Sequence, residues 1–78
     1  MSNAETGSHQ SQVEITVNGE RRSVPAGQTV LELLENFRIP PERVAIEFNG
    51  EILRRERWGT TTLAGGEQLE IVHFVGGG

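Results

Sequence analysis

The sequence predicts a small α+β domain in which one helix covers one face of a mixed β-sheet. Three observations carry this prediction. Several short segments alternate apolar and polar residues, which indicates half-buried strands. One segment, between 29 and 37, has apolar residues at helical spacing instead. Asn-Gly pairs at 18–19 and 49–50 mark tight hairpin turns, because both central residues of a type I′ turn need a positive φ.

The composition restricts the classes of function open to this chain. Its 78 residues suffice for one small domain but not for a core and a deep catalytic pocket together, so we expect a protein that is not an enzyme. The net charge of −4 and the lack of a basic stripe argue against a nucleic-acid partner. No apolar run approaches the roughly 18 residues of a membrane span and no signal-peptide pattern is present, so we expect a cytoplasmic protein without a membrane partner. There is no cysteine, so the chain offers neither a disulfide nor a thiol nucleophile.

The first half of the patterned region predicts a hairpin followed by the helix. Alternation over 12–17 predicts a strand, and 20–24 is the returning strand after the first Asn-Gly turn. Thr29-Val30-Leu31-Glu32 fits a capping box, in which the Thr and Glu side chains satisfy free backbone N–H groups. The helix should end before Pro40-Pro41, at about nine residues, because the residue before a proline is pushed out of the α region. Its core-facing stripe is Val30, Leu33, Leu34 and Phe37.

The second half predicts three further strands. A strand at 44–48 is followed by the second Asn-Gly turn and by a short strand at 51–53. Trp58 ends a charged, irregular segment, and we expect it to cover an edge of the core rather than to bind a partner. The last strand, 69–74, follows a Gly-Gly-Glu turn.

This order of elements is that of the β-grasp, or ubiquitin-like, fold: a mixed sheet of four to five strands packed on one main helix. The first and last strands should lie side by side in the middle of the sheet. We divide the chain accordingly into a disordered leader or cloning tag at 1–11, a β-grasp domain at 12–74 and a flexible C-terminal tail at 75–78.

The last six residues, His73-Phe74-Val75-Gly76-Gly77-Gly78, are the candidate functional segment. Glycine loses more conformational freedom on ordering than any other residue, and no helix or strand follows that would need a cap or a turn. An arm without β-carbons can enter a channel that side chains would block. We therefore predict that the carboxylate of Gly78 is the working group. The alternative is a frayed end without a role.

Alternation along the last strand predicts which of its residues face away from the helix. Leu69, Ile71 and His73 should be covered by the helix. Val72 and Phe74 should lie on the opposite, open face of the sheet, beside the tail. We interpret His73 as a strand-end residue with local hydrogen bonds rather than as a general base.

Exposed apolar residues beside a functional arm predict a docking patch for a partner. The alternative is that they cover a small second core. The predicted partner-binding residues are Val72, Phe74, Val75 and Gly76.

Several motifs add a resemblance to a known family. They are Val-Asn-Gly-Glu at 17–20, Thr-Val-Leu-Glu-Leu-Leu at 29–34, Val-Ala-Ile-Glu-Phe-Asn-Gly-Glu at 44–51, Trp58 with a following Thr-Leu, and Glu-Ile-Val-His-Phe-Val-Gly-Gly-Gly at 70–78. Together they resemble the ThiS family, the sulfur carrier proteins of thiamine biosynthesis. The resemblance covers the whole patterned domain, and the tail with its preceding strand is its most specific part.

The resemblance implies a sequence of reactions at the C-terminus. An E1-like, ATP-using enzyme of the ThiF type would adenylate the carboxylate of Gly78, and a cysteine desulfurase would supply sulfur to form a thiocarboxylate. Thiazole synthase, of the ThiG type, would take that sulfur into the thiazole of thiamine. Gly77 and Gly78 match the functional residues of the family. The chain itself would bind no cofactor and no metal, because ATP and Mg²⁺ belong to the adenylating partner.

Three alternatives remain open. The small subunit of molybdopterin synthase shares the fold and the Gly-Gly end but tends to have proline before the tail, where this chain has Phe74-Val75. The second alternative is a ubiquitin-like modifier that is conjugated to target lysines. The third is a β-grasp interaction domain whose glycines are incidental.

Overall fold

Five strands and one α-helix build the part of the chain that the computed structural model describes, residues 11–74. The elements are β1 (Gln12–Val17), β2 (Glu20–Pro25), α1 (Val30–Asn36), β3 (Val44–Phe48), β4 (Glu51–Leu53) and β5 (Gln68–His73), with single 3₁₀ turns at Pro41–Arg43 and Arg55–Arg57. The predicted tail at 75–78 and all but the last residue of the predicted leader lie outside the described residues. No helix within 11–74 is long and apolar enough to cross a membrane.

The sheet has the strand order β2-β1-β5-β3-β4. The two central strands, β1 and β5, run parallel, with Thr16 opposite Gln68 and Val17 opposite Leu69. The other three pairs are antiparallel. The predicted mixed sheet, with the first and last strands adjacent in its middle, is therefore confirmed.

The core lies between α1 and one face of the sheet. The apolar stripe of the helix is buried as predicted at Val30, Leu33 and Leu34, and Phe37 is half-buried at the end of the helix. Trp58 is only 2% exposed and closes the core beside the helix, which confirms its structural role. The buried residues of the sheet are Ile15, Val17, Val24, Val44, Ile46, Leu69 and Ile71, and Leu63 joins them from the loop before β5.

The predicted capping box is present at the start of α1. The Glu32 N–H donates to the Thr29 hydroxyl (3.1 Å), and the Thr29 N–H donates to the Glu32 carboxylate (3.0 Å). Both bonds satisfy N–H groups that have no partner within the helix.

The helix has seven residues instead of the expected nine or so, because Arg38 ends it before the prolines do. Arg38 has a φ of +59°. Its N–H donates to the carbonyl of Glu35 (3.1 Å) and the Ile39 N–H donates to that of Leu34 (2.9 Å). These two bonds form a Schellman motif, whose left-handed position usually holds glycine. The sequence carries no glycine there, so the sequence pattern did not indicate that α1 ends at this point.

Replacing Arg38 with glycine is expected to stabilise the fold. An L side chain in the left-handed region costs about 1–2 kcal/mol, and part of this gain is lost to the greater freedom of glycine in the unfolded chain. We expect Arg38→Gly to raise the free energy of unfolding by about 0.5–1 kcal/mol and the melting temperature by a few degrees. Arg38→Ala is the matched control, since it removes the side chain but keeps the β-carbon. If Arg38→Ala stabilises as much as Arg38→Gly in thermal melts, backbone strain is not the cause.

Candidate functional site

Strand β5 carries the predicted site, and both of its edges are paired. It lies between β1 and β3, and its antiparallel register with β3 extends from Leu69 opposite Phe48 to His73 opposite Val44. The Phe74 N–H donates to the carbonyl of Arg43 (2.8 Å), so the contact with this side of the domain continues one residue past the strand. The base of the tail is therefore held by backbone hydrogen bonds up to Phe74.

Two turn asparagines also hold β5, one from each side. Asn18 accepts a hydrogen bond from the Ile71 N–H (2.7 Å) and donates one to the Ile71 carbonyl (3.2 Å). Asn49 accepts from the Gln68 N–H through its side chain (2.9 Å) and donates to the Gln68 carbonyl through its backbone (2.7 Å). Both asparagines have positive φ, as the predicted turns require. Each asparagine therefore forms part of a hairpin turn and also holds β5, the strand that leads to the tail, by hydrogen bonds.

Two of the predicted partner-binding residues lie on the open face of the sheet. The side chains of Val72 and Phe74 are 54% and 55% exposed, which confirms the predicted exposure and excludes their burial in a second core. Their docking role stays a prediction. Val75 and Gly76, together with Gly77 and Gly78 of the predicted reactive end, lie outside the described residues.

His73 is exposed, so the prediction that the helix covers it is wrong. Strand β1 ends at Val17, which lies opposite Leu69. Four residues further along β5, His73 therefore has a neighbouring strand on one side only, where it lies opposite Val44. The alternation assigns the correct face to Leu69 and Ile71 but cannot show where the flanking strand ends.

Ile52 is an exposed apolar residue that sequence reasoning missed. It is 76% exposed on β4, and it lies opposite Glu47 of β3 on the open face. We call Ile52, Val72 and Phe74 the open-face patch. A signal for Ile52 was present, since Leu53 faces the core and the residue before it must then face outward.

A shallow recess of about 160 Å³ lies within this patch. It is lined by Ala45 and Val72, which lie opposite each other, and by Ile46, Glu47 and Ile52. A larger recess of about 430 Å³ lies beside β1 and the turn at Gly65-Gly66, and it contains none of the predicted site residues. Within 11–74 no group of three or more histidine, aspartate or glutamate side chains is arranged to hold a metal ion.

Two carboxylates lie at the recess, one in its lining and one on the neighbouring strand. Glu47 of β3 and Glu70 of β5 lie directly opposite each other, and both are exposed. Neither forms an ion pair with any residue of the described range. The ion pairs found there are Arg21–Glu14, Arg22–Glu20 and Arg54–Glu56. We call Glu47 and Glu70 the acidic pair.

Comparison with known proteins adds family information to this geometry. The model of the ThiS family matches residues 11–78, which includes the glycine end. The sulfur carrier protein ThiS of Escherichia coli is 32% identical over 66 residues, which is 85% of this chain and the whole of that protein. A crystal structure of the thiamine biosynthesis protein ThiS from Geobacter metallireducens superposes with a TM-score of 0.74 at 38% identity, covering 85% of this chain and all of the other.

A longer relative also contains a similar segment. The thiazole synthase of Magnetococcus marinus is 39% identical over 66 residues, or 85% of this chain. The matched segment is 20% of that protein, so this chain spans about a fifth of the synthase's length.

Proposed function

Because the chain belongs to the ThiS family, we propose that it is a sulfur carrier in thiamine biosynthesis and that the carboxylate of Gly78 is its working group. The observation that carries this proposal is the family match, which runs through the final glycines to residue 78. The protein acts as a co-substrate and not as an enzyme. An adenylating enzyme of the ThiF type activates it, a cysteine desulfurase supplies sulfur, and a thiazole synthase of the ThiG type consumes the product.

The chemistry explains why activation must come first. A carboxylate is a poor acceptor for sulfur, because its oxygen is a bad leaving group. Attack on the α-phosphate of ATP releases pyrophosphate and gives an acyl adenylate, whose leaving group is AMP. A persulfide sulfur then displaces AMP, and a thiol cleaves the resulting acyl disulfide to leave the thiocarboxylate. Mg²⁺ and cationic groups for the phosphates come from the enzyme.

The described residues supply a fixed point from which the arm extends. Backbone and asparagine hydrogen bonds hold β5 on both sides, and Phe74 is the last residue within this frame. The four residues after it can span at most roughly 13–14 Å when extended. The carboxylate can thus reach an active site inside a partner enzyme while the folded domain stays at the surface of that enzyme.

The thiazole synthase relatives support the choice of final acceptor. In the proteins of Magnetococcus marinus and Paramagnetospirillum magneticum, a segment similar to this chain is part of a longer thiazole synthase. Joining a carrier to the enzyme that uses it raises the effective concentration of one for the other. This arrangement favours a thiazole synthase over a molybdopterin synthase as the sulfur acceptor.

Reconstitution with mass spectrometry tests the proposal. The protein is incubated with ATP, Mg²⁺, cysteine, a desulfurase and the ThiF-type enzyme of its source organism. We expect the intact mass to increase by the difference between one sulfur and one oxygen, and the product to support thiazole formation by the thiazole synthase. High-mass adducts would instead indicate a protein modifier, and sulfur transfer only to a molybdopterin synthase would indicate the other pathway.

Phe74 is expected to contribute to docking on the adenylating enzyme. Its ring is exposed beside the tail, and aromatic residues of this kind often carry much of the binding energy of an interface. Phe74→Ala should raise the dissociation constant roughly tenfold or more, measured by calorimetry, and leave the melting temperature nearly unchanged because the ring is outside the core. Glu35→Ala, at an exposed helix position in the other layer, is the control. Unchanged affinity for Phe74→Ala would exclude this residue from the interface.

A further inference from the structure

We propose that the recess at Ala45 and the acidic pair together receive an arginine or lysine side chain of the adenylating enzyme. This inference rests on the proposed function, and it specifies the chemistry of the enzyme surface that binds the carrier. The recess accommodates the hydrocarbon stem of the side chain, and the carboxylates of Glu47 and Glu70 bind its cationic head.

The apolar surface of the recess favours a side chain with a hydrocarbon stem. Ala45 lies opposite Val72 of β5, and Ile52 of β4 lies opposite Glu47, two residues further along β3. These side chains line the depression of about 160 Å³, and Ala45 is the smallest of them. The side chains of Val72 and Ile52 are more than half exposed, so they have apolar surface to cover. Arginine and lysine bury their methylene groups against such surfaces while the charged end stays beside polar groups.

The acidic pair indicates that the side chain of the partner carries a positive charge. Like charges directly opposite each other on neighbouring strands destabilise the sheet. Glu47 and Glu70 are in this arrangement on the open face, and no arginine within 11–74 pairs with either. A cation from a partner would relieve the repulsion and form charge-assisted hydrogen bonds. The carrier's own stability gains nothing from the pair, so a charge-complementary partner is the consistent explanation.

The order of the reactions favours the adenylating enzyme over the thiazole synthase as the occupant. Before activation the tail ends in an ordinary carboxylate, so the first enzyme must recognise the carrier by its folded surface. After sulfur transfer the tail carries a thiocarboxylate, which the thiazole synthase can distinguish directly. Phe74, the last described residue, is exposed on the open face of the sheet, and the same face carries the acidic pair.

The test is the double variant Glu47→Gln/Glu70→Gln, which keeps the size of both side chains. Its control is Glu35→Gln/Glu51→Gln, which makes the same change of net charge at exposed positions on the helix and on the other face of β4. Binding of the purified adenylating enzyme is measured at several salt concentrations, and thermal melting is recorded. We expect the acidic-pair variant to bind roughly ten- to a hundredfold more weakly, to lose most of the salt dependence and to melt at a higher temperature. The control should bind like the parent.

A second variant, Ala45→Leu, fills the recess and should weaken the same interaction without removing charge. The inference is overturned if both variants bind the adenylating enzyme as the parent does, or if the control loses as much affinity as the acidic-pair variant. Neither of these outcomes affects the requirement for the Gly78 carboxylate, which mass spectrometry of the tail tests separately.

Discussion

Deletion of Gly78 is expected to reduce ATP–pyrophosphate exchange by the adenylating enzyme on the order of 10²-fold or more, with thermal melting unchanged. The deletion shortens the reach of the arm from Phe74 by about 3.5 Å. Displacements of about 1 Å already cost on the order of 10²-fold in a positioned reaction. Melting should not change, because Ile71 is the last core residue within the described range 11–74.

This variant still ends in Gly-Gly, so it separates arm length from glycine identity. Gly77→Ala is the companion variant: it keeps the length but adds a methyl group that would clash in a channel fitted to glycine and restrict the backbone. If only the Gly78 deletion loses exchange, the enzyme requires the full length of the arm. If both variants lose exchange, the enzyme requires the length of the arm and also a backbone without side chains. Exchange at the parent rate in both would exclude the C-terminus as the site of chemistry and with it the carrier function.

Trp58→Ala is expected to lower the free energy of unfolding by about 3–5 kcal/mol. The indole is buried, its Nε1 donates to the Leu53 carbonyl (2.9 Å), and the Arg55 guanidinium lies 4.9 Å from the ring centre. Truncation leaves a cavity and an unpaired carbonyl at the end of β4. Since the stability of a small domain is only about 5 kcal/mol, much of the population should unfold at 37 °C. Urea unfolding followed by circular dichroism measures the change.

Trp58→Phe is the control that separates packing from hydrogen bonding. It keeps an aromatic ring in the core but removes the donor to Leu53, so we expect a smaller loss of about 1–3 kcal/mol. Adenylation by the partner should persist at a temperature where this variant is folded. If Trp58→Phe is as stable as the parent but fails to bind the adenylating enzyme, Trp58 has a recognition role and the structural assignment is wrong.

The sequence by itself determined most of the secondary structure and the order of the strands. The strands at 12–17, 44–48 and 51–53 have the predicted bounds, and the capping box at Thr29 is present. These features are set by local chemistry: alternation of apolar side chains, the positive φ of an Asn-Gly turn, and a hydroxyl three residues before a glutamate. The placement of β5 beside β1 followed from the order of the elements, which is that of the β-grasp fold. The glycine tail and its working carboxylate were also predicted from the sequence, and they stay a prediction.

Only the tertiary structure decided which residues meet across strands. Ile52, Glu47 and Glu70 lie in one row because of the registers of β4 on β3 and of β3 on β5, and a shift of one residue would send them to the other face. The exposure of His73 depends on where β1 ends, and the early end of α1 depends on the strained backbone at Arg38. Register and strand ends arise from long-range packing, which no local pattern specifies, and a left-handed residue other than glycine leaves no mark in the sequence.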